Sequence, residues 1–220
     1  MNEYSFILWH DSVMAATAKN TKRTATREKR RQQLIDATVK CIARKGMGNT
    51  TLGDVAKEAG LSQGIVNLHF ESKDNLLTET LRFIADEYKT QFNRVFERSG
   101  PGPAEKLRAL MDLDLRPSIL DHRKLAVWFA FWGEVKSRPR YREVCEKSDE
   151  YYDDVVCTLC SEIIAEGKYE NVSAAAVATA LTSMTNGLWL AFLISPQRFD
   201  RHIATDAVVE YLRSVFPKHF

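Results

Sequence analysis

The sequence predicts an all-α protein of about nine helices, with an N-terminal three-helix unit that contains a helix-turn-helix and a larger C-terminal helical unit. Apolar residues recur at three- and four-residue steps along most of the chain, without the alternation typical of strands. Expected helix ends or first turns contain Pro117, Pro139, Gly167 and Pro196. The stretch 50–77 has the pattern of two short helices joined by a tight turn. We expect a flexible basic arm over 1–24, a DNA-binding domain over 25–72, and a ligand-binding and dimerisation domain over 73–220.

The net charge of the 220-residue chain is only +2, but its basic residues are unevenly placed. Between Lys19 and Lys45 there are ten Lys or Arg residues against two acids, Glu28 and Asp36. A charged run is usually just a solvated surface. Its position directly before a helix-turn-helix favours an arm and first helix that lie near DNA phosphates.

The first helix is predicted over 26–45, followed by a second that a side-chain oxygen of Thr50 or Thr51 caps. Gly60 is suited to the left-handed conformation that ends such a helix. Ser62 can then begin a third, very short helix that runs to about His69.

The third helix is the candidate reader of the DNA major groove. Its aliphatic residues Ile65, Val66 and Leu68 are expected to face inward, which leaves the polar positions to face outward. Amide side chains there suit base edges, and a lysine at the start of the following helix suits a phosphate. The predicted DNA-binding residues are Thr50, Thr51, Ser62, Gln63, Gly64, Asn67, His69 and Lys73.

A long helix over 72–98 is expected to join the two units, and the segment SGPGP at 99–103 ends it. Five further helices follow. They are predicted at 104–116, 121–137, 139–167, 173–194 and 201–215.

Aromatic residues concentrate in the C-terminal unit, and Asp114 belongs by spacing to an inward apolar stripe. Aromatic faces with one acidic group are the physical requirement for binding a quaternary ammonium ion such as choline. The alternative is that these rings form ordinary core. The candidate ligand-binding residues are Asp114, Trp128, Phe131, Trp132, Tyr152 and Trp189.

The segment 173–194 is rich in small residues that permit close helix approach, and 201–215 has an apolar stripe. These two helices are the candidate face of a homodimer, paired as a four-helix bundle across a two-fold axis. Two reading helices could then meet successive major grooves of a pseudo-palindromic operator in double-stranded DNA.

The sequence offers no nucleophile and base pair, phosphate loop or metal-ligand spacing, so we expect neither an enzyme nor a bound cofactor or metal. Cys157 and Cys160 form a C-x-x-C inside a helical pattern, where buried thiols are the usual outcome and a redox sensor is a lesser alternative. No apolar run approaches a membrane span and no secretion signal is evident, which favours a cytoplasmic protein with no membrane partner.

The N-terminal unit resembles the DNA-binding signature of TetR-family repressors. The matching positions are Thr51, Asp54-Val55-Ala56, Ala59-Gly60, Ser62, Gly64, Phe70, Lys73 and Leu76-Leu77. Asn67 stands where most members have Tyr. A small polar residue at this position resembles the BetI branch, the choline-responsive repressors of glycine betaine synthesis. Two later stretches are also similar to that branch: KLAVWFAFWGEVKSRPRYREV and NGLWLAFLIS.

The resemblance implies a homodimeric repressor that a small quaternary ammonium effector such as choline releases from its operator, controlling osmoprotectant genes. The alternative is a TetR-like regulator of efflux genes with a broad pocket for lipophilic cations or drugs, which would use the same aromatic residues.

Overall fold

The computed structural model of the protein describes residues 26–220. Within this range the chain forms nine α-helices and no strand, which confirms the predicted all-α class. The basic arm predicted at 1–24 lies outside the described residues. The helices are α1 (26–45), α2 (Leu52–Ala59), α3 (Gln63–Phe70), α4 (Lys73–Arg98), α5 (Pro103–Asp114), α6 (His122–Trp132), α7 (Pro139–Gly167), α8 (Ala174–Ile194) and α9 (Arg201–Val215).

The turn between α2 and α3 is built by local hydrogen bonds. Thr51 is the N-cap of α2, where its hydroxyl accepts from the Asp54 N–H at 3.1 Å and its own N–H donates to the Asp54 carboxylate at 2.8 Å. Gly60 ends α2 with φ of 63°, a conformation that costs glycine little. Ser62 precedes α3 as expected, but its hydroxyl makes no capping hydrogen bond.

The first apolar core joins α1, α2, α3 and the start of α4. Leu34, Val55 and Val66 are fully buried in it, and Phe70 at the end of α3 is 4% exposed. Because α3 contributes Val66 and Phe70 to this core, the position of α3 is fixed relative to α1 and α2.

A second core connects this N-terminal part to the rest of the chain. Ile42 of α1 and Leu81 of α4 pack there with Val127 and Phe131 of α6 and Tyr141 of α7. A larger third core brings α4 together with α5, α7, α8 and α9. Helix α4 therefore takes part in all three cores, and a domain boundary at residue 72 stays a prediction.

Helix α6 is shorter than the sequence predicted. It ends at Trp132, and residues 133–137 form turns instead of continuing to 137. Gly133 is a poor helix former, and Pro139 disfavours the helical conformation at the residue before it. After α6, a main-chain hydrogen bond spans three residues instead of the four of an α-helix: the Glu134 N–H donates to the Phe131 carbonyl at 2.9 Å.

Among the described residues, α8 is the one helix long and apolar enough to cross a membrane, with a mean hydropathy of 1.5 in its most apolar window. This corrects the expectation that no apolar run reaches that length. Length and composition do not separate such a helix from a helix packed inside a protein assembly. In this fold, Leu181, Thr185 and Trp189 on one side of α8 are buried against neighbouring helices.

Candidate ligand site and nucleic-acid interface

The exposed surface of α3 carries the polar side chains that the sequence placed there. Gln63, Gly64 and Asn67 are exposed, while Val66 is fully buried. The prediction was wrong for Leu68, which is 71% exposed. Each residue turns a helix by about 100°, so Leu68 lies about 200° from Val66 and faces away from the core.

Two other predicted DNA-contacting residues are less available than expected. Thr50 is 2% exposed and its hydroxyl donates to the Gly46 carbonyl at 2.8 Å, so its side chain is committed to the loop before α2. His69 is half-buried. Burial, followed by the charges of Arg27 and Arg31, lowers the pKa of His69 and favours its neutral form.

Lys73 begins α4 beside the reading helix. Its side chain is half-buried, and its Nζ atom donates to the Gly48 carbonyl at 3.4 Å. Thr51 and Ser62 are exposed at the starts of α2 and α3.

Part of the basic run in α1 is already paired with acids of the protein. Arg31 contacts Glu79, and Lys45 contacts Asp54. Arg44 contacts Glu58 at 3.1 Å. Exposed basic residues in the described part of the run include Arg27, Lys29 and Arg30 at the start of α1, whereas Lys19, Lys22 and Arg23 lie outside the described residues.

A cavity of about 100 Å³ lies between α4, α5, α6, α7 and α8. Five aromatic side chains line it, and four of them pack on one another edge to face or at a tilt. The Tyr88 ring lies 4.8 Å from that of Tyr152 and 5.6 Å from that of Trp189, both nearly perpendicular, and the Phe92 ring lies 4.9 Å from that of Tyr152. The fifth aromatic residue is Trp128.

Asp114 forms the polar centre of this cavity and is 4% exposed. Its carboxylate accepts hydrogen bonds from the Tyr88 hydroxyl at 2.5 Å and the Thr185 hydroxyl at 3.2 Å. The Trp189 Nε1–H donates to the Asp114 main-chain carbonyl at 2.8 Å. These bonds supply the hydrogen-bonding partners that a buried carboxyl requires.

Burial dominates the protonation of this group. It raises the pKa of Asp114 to about 7, although the hydrogen bonds from Tyr88 and Thr185 act in the opposite direction. Burial and then the nearby Asp114 charge raise the pKa of Tyr88 well above its usual value, which keeps the phenol a donor. The carboxyl is therefore poised to ionise when a cation enters the cavity.

A second carboxyl, Asp149 of α7, also lines the cavity, where burial and then the Asp153 charge raise its pKa to about 6. Glu87 lines the cavity too, paired with Lys124 at 2.6 Å. The charged lining residues thus carry an excess of two negative charges when all are ionised.

Among the residues that the structure describes, two buried polar atoms of cavity-lining side chains have no hydrogen-bond partner. One is the Nε1 atom of Trp128, a residue that is 8% exposed. The other is the hydroxyl oxygen of Tyr152, which has Ser148 nearby without a hydrogen bond of normal geometry.

The structure brings together four of the six predicted ligand residues, Asp114, Trp128, Tyr152 and Trp189. The prediction was wrong for Phe131 and Trp132 as lining residues. Phe131 is fully buried in the second core against the ring of Tyr141 at 4.8 Å, and Trp132 is half-buried in the same core.

Sequence reasoning missed Tyr88, Phe92 and Asp149 as parts of the cavity. The sequence did contain a signal for Asp149, because it lies four residues after the buried Cys145 and three before Tyr152 on the inward side of α7. The four-residue spacing of Tyr88 and Phe92 indicates that they share one side of α4, but nothing in that spacing distinguishes a cavity wall from core.

The two cysteines of the C-x-x-C motif are at least partly shielded from solvent. Cys160 is fully buried and Cys157 half-buried. Burial raises the pKa of Cys160 to about 12, so its reactive thiolate form is disfavoured. Among residues 26–220, no three or more His, Cys, Asp or Glu side chains group to hold a metal ion.

Asp74, in the first turn of α4, connects the N-terminal helices to the helices around the cavity. Its carboxylate accepts from Arg138 at 3.1 Å and from the Tyr141 hydroxyl at 3.2 Å, and it lies 3.7 Å from Arg140. Arg138 immediately follows the turns that end α6, and Tyr141 lies in the first turn of α7. These contacts therefore join the segment between α6 and α7 directly to the start of α4.

One side of α8 is exposed and carries no charged residue. Leu190 is 41% and Ile194 70% exposed, and Ile203 of α9 beside them is 68% exposed. Small or apolar residues repeat along this side at helical spacing: Ala176, Thr179, Ser183, Gly187, Ala191 and Ile194. Such a surface suits close packing of helices.

Comparison with known families gives two matches that together span most of the chain. Residues 34–80 match the bacterial regulatory proteins of the tetR family. Residues 103–217, more than half of the chain, match the C-terminal domain of BetI-type transcriptional repressors. The chain belongs to the BetI-type repressors of the TetR family. This confirms the predicted family and the prediction of a regulator that is not an enzyme.

Individual relatives agree with this assignment. The BetI-type chain is 32% identical over 190 residues to the HTH-type transcriptional regulator BetI of Paraburkholderia phymatum, covering 86% of this chain and 94% of that protein. It is 30% identical to BetI 1 of Chromohalobacter salexigens, covering 83% and 90% of the two chains.

Solved structures share the fold of this BetI-type repressor. A transcriptional regulator from Pseudomonas aeruginosa PAO1 matches with a TM-score of 0.78 and 25% identity, covering 86% of this chain and 91% of that one. A regulator from Saccharomonospora viridis, solved in complex with choline, matches with a TM-score of 0.76 and 21% identity, covering 84% and 96%.

Proposed function

We propose that this BetI-type repressor binds choline, or a closely related small quaternary ammonium ion, in the cavity around Asp114, and that binding releases the protein from its operator. The observation that carries the proposal is a buried carboxyl, with its pKa raised to about 7, set among aromatic rings. That combination is chemically suited to a cation whose methyl groups need no hydrogen bonds. The target genes would be those for osmoprotectant uptake or synthesis.

The aromatic walls supply the attraction for the trimethylammonium group. The Tyr88 ring makes edge-to-face contacts with the rings of Tyr152 at 4.8 Å and Trp189 at 5.6 Å, and Trp128 lines the same cavity. A desolvated cation over such faces gains about 2 kcal/mol or more. An ionised Asp114 adds a Coulombic attraction that burial strengthens.

The charge of the lining favours choline over betaine. Both carry the trimethylammonium group, but betaine ends in a carboxylate. The betaine carboxylate would enter a cavity that already contains the carboxyl groups of Asp114 and Asp149. The positive charge of Lys124 is already paired with Glu87, so it offers the betaine carboxylate little attraction. The choline hydroxyl, in contrast, is uncharged and brings no further negative charge into this cavity.

A relative with this fold supports the choice of ligand. The Saccharomonospora viridis regulator was solved with choline bound. Its 21% identity establishes the fold alone. The cavity of this chain therefore provides the main support for choline, and the Saccharomonospora viridis regulator adds that the fold can accommodate this ion.

Coupling to DNA would run through Asp74. Trp128 lies on α6, whose end leads through residues 133–137 to Arg138 and the start of α7. A shift of α6 around a bound ligand would move the Arg138 and Tyr141 groups that hold Asp74 at the start of α4. The ligand can displace the operator only to the extent that it prefers one arrangement of these contacts.

The DNA-binding form would be a cytoplasmic homodimer that uses the uncharged side of α8 together with α9. Pairing these helices across a two-fold axis would cover Leu190, Ile194 and Ile203. The two copies of α3, with Gln63 and Asn67 exposed, would then read half-sites of a pseudo-palindromic operator.

The experiment that tests the ligand is a titration of the purified protein with choline, followed by tryptophan fluorescence. Trp128 and Trp189 line the cavity and report directly on occupancy. Tetramethylammonium, betaine and a lipophilic dye cation serve as comparisons. We expect saturable changes with choline and tetramethylammonium at lower concentrations than with betaine. Tight binding of unrelated dyes without a response to choline would instead support a regulator of efflux genes.

A further inference from the structure

The side of α3 that faces away from the protein has a leucine at its centre. Leu68 is 71% exposed, and its neighbours Gly64 and Asn67 are exposed on the same side. Val66 and Phe70 are buried on the other side. The surface that α3 offers to a partner is therefore apolar in the middle and polar at its edge.

The space next to Leu68 is open. Gly64 lies one turn earlier on the same side of the helix, since residues four apart are neighbours on a helix surface. A Cβ atom at Gly64 would meet only the Ser62 hydroxyl oxygen, at 3.8 Å. A base edge can thus approach the Leu68 methyl groups without displacing another side chain.

The major groove offers one apolar group to such a residue, the C5-methyl of thymine. The other groups at the base edges there are hydrogen-bond donors and acceptors, which leucine cannot satisfy. Contact between two methyl groups removes apolar surface from water and needs no particular direction. Phosphates and sugars give leucine no comparable gain.

We propose that Leu68 is a specificity-determining residue of this repressor and that it reads a thymine in each operator half-site through the C5-methyl group. The proposal rests on the docking of α3 in the major groove. The operator sequence is then recognised through two kinds of contact. Gln63 and Asn67 form hydrogen bonds to base edges, and Leu68 separates thymine from cytosine, which lacks the methyl group.

Uracil differs from thymine only by this methyl group, which makes the contact directly testable. Operator sequences are first selected from a random duplex library with the full-length protein. Each thymine of a selected operator is then replaced singly by deoxyuridine, and the dissociation constant is measured by fluorescence anisotropy. The wild type is compared with Leu68→Ala and with Leu68→Met, which keeps an apolar side chain. Circular dichroism melting checks that each variant is folded.

One thymine in each half-site should stand out. Its replacement by deoxyuridine is expected to weaken wild-type binding about fourfold, the equivalent of one methyl group no longer buried. Leu68→Ala should bind the two operators equally, and Leu68→Met should keep most of the difference.

Equal weakening by deoxyuridine in the wild type and in Leu68→Ala would overturn the proposal, as would a wild type that is insensitive at every thymine. Failure of the wild type to select any sequence would overturn the docking of α3 itself. That result is distinct, because it appears before any deoxyuridine is introduced.

Discussion

Asp114 allows the sharpest test of the ligand site, because its charge depends on pH in the range where the protein can be handled. Burial raises its pKa to about 7. A protonated carboxyl is neutral and gives no Coulombic attraction to choline, whereas the ionised form does. Choline affinity should therefore rise with pH, and Asp114→Asn should lose most of this dependence. Asparagine can still accept the Tyr88 hydrogen bond through its oxygen, and its amide nitrogen can donate to the Thr185 hydroxyl oxygen, so the variant changes charge more than shape.

The size of the effect follows from the titration. With a pKa of about 7, Asp114 is about nine-tenths ionised at pH 8 and about one-tenth ionised at pH 6. If choline binds only the ionised form, its dissociation constant should rise about tenfold as the pH falls from 8 to 6. Asp149, with a pKa of about 6, adds a further factor of about two over the same range.

The assay is isothermal titration calorimetry with choline at several pH values, on the wild type, Asp114→Asn and Asp149→Asn. The wild type should show the steep dependence, and Asp149→Asn should keep the tenfold part of it. Asp114→Asn should bind choline weakly at pH 8 and change little towards pH 6. A dependence of equal size in the wild type and in Asp114→Asn would refute the assigned role of this carboxyl.

The stability of the ligand-free protein gives an independent check with a defined sign. The folded state holds the Asp114 proton to about pH 7, whereas the unfolded chain releases it near 3.8. The stabilisation that comes from the proton held by Asp114 in the folded state is therefore present at low pH. It is lost as the pH rises from about 3.8 to about 7. The full shift is equivalent to about 4 kcal/mol. Asp114→Asn should therefore raise the melting temperature at pH 8 more than at pH 5. No difference between the two pH values would contradict the raised pKa.

Four further predictions concern the other parts of the molecule. Trp128→Leu should weaken choline binding by about threefold to thirtyfold, because one aromatic face is lost, while Trp132→Leu, outside the cavity, should leave it within about twofold; equal effects in calorimetry would contradict the assigned lining. Asn67→Ala should weaken operator binding by about fivefold or more and leave binding to random DNA unchanged in anisotropy titrations; equal losses would argue against base reading. Asp74→Asn should leave choline affinity unchanged but reduce the choline-induced loss of operator affinity by about twofold or more; undiminished release would exclude this contact as the coupling element. Ile194→Glu should shift the protein to monomer in sedimentation velocity, because a carboxylate would be buried in the dimer face; an intact dimer would mean that another surface pairs.

The N-terminal unit could be predicted from sequence because its structure is determined by neighbouring residues. Thr51 and Asp54 cap the same helix that they begin, and Gly60 ends it with a conformation that few other residues adopt easily. The exposed position of Leu68 was missed because α3 has only eight residues. Over so short a helix, an aliphatic residue type is a weak guide to the direction it faces.

The cavity could be predicted only in part because its members come from distant parts of the chain. Asp114 and Trp189 are joined by a hydrogen bond across 75 residues, and Asp114 and Tyr88 by one across 26. Helical spacing shows which side of a helix faces inward. It does not show which neighbouring helices leave a space between them. This is why Phe131, a fully buried aromatic residue three positions after Trp128, proved to be core instead of cavity wall.

The central claim is that choline and operator bind to opposed arrangements of one protein, and the most direct test is to measure choline affinity with and without saturating operator DNA. Linkage requires that the operator weaken choline binding by the same factor as choline weakens operator binding. We predict factors that agree and lie between about fivefold and 150-fold. Choline affinity that is identical with and without the operator would contradict the account, however tightly the cavity binds choline.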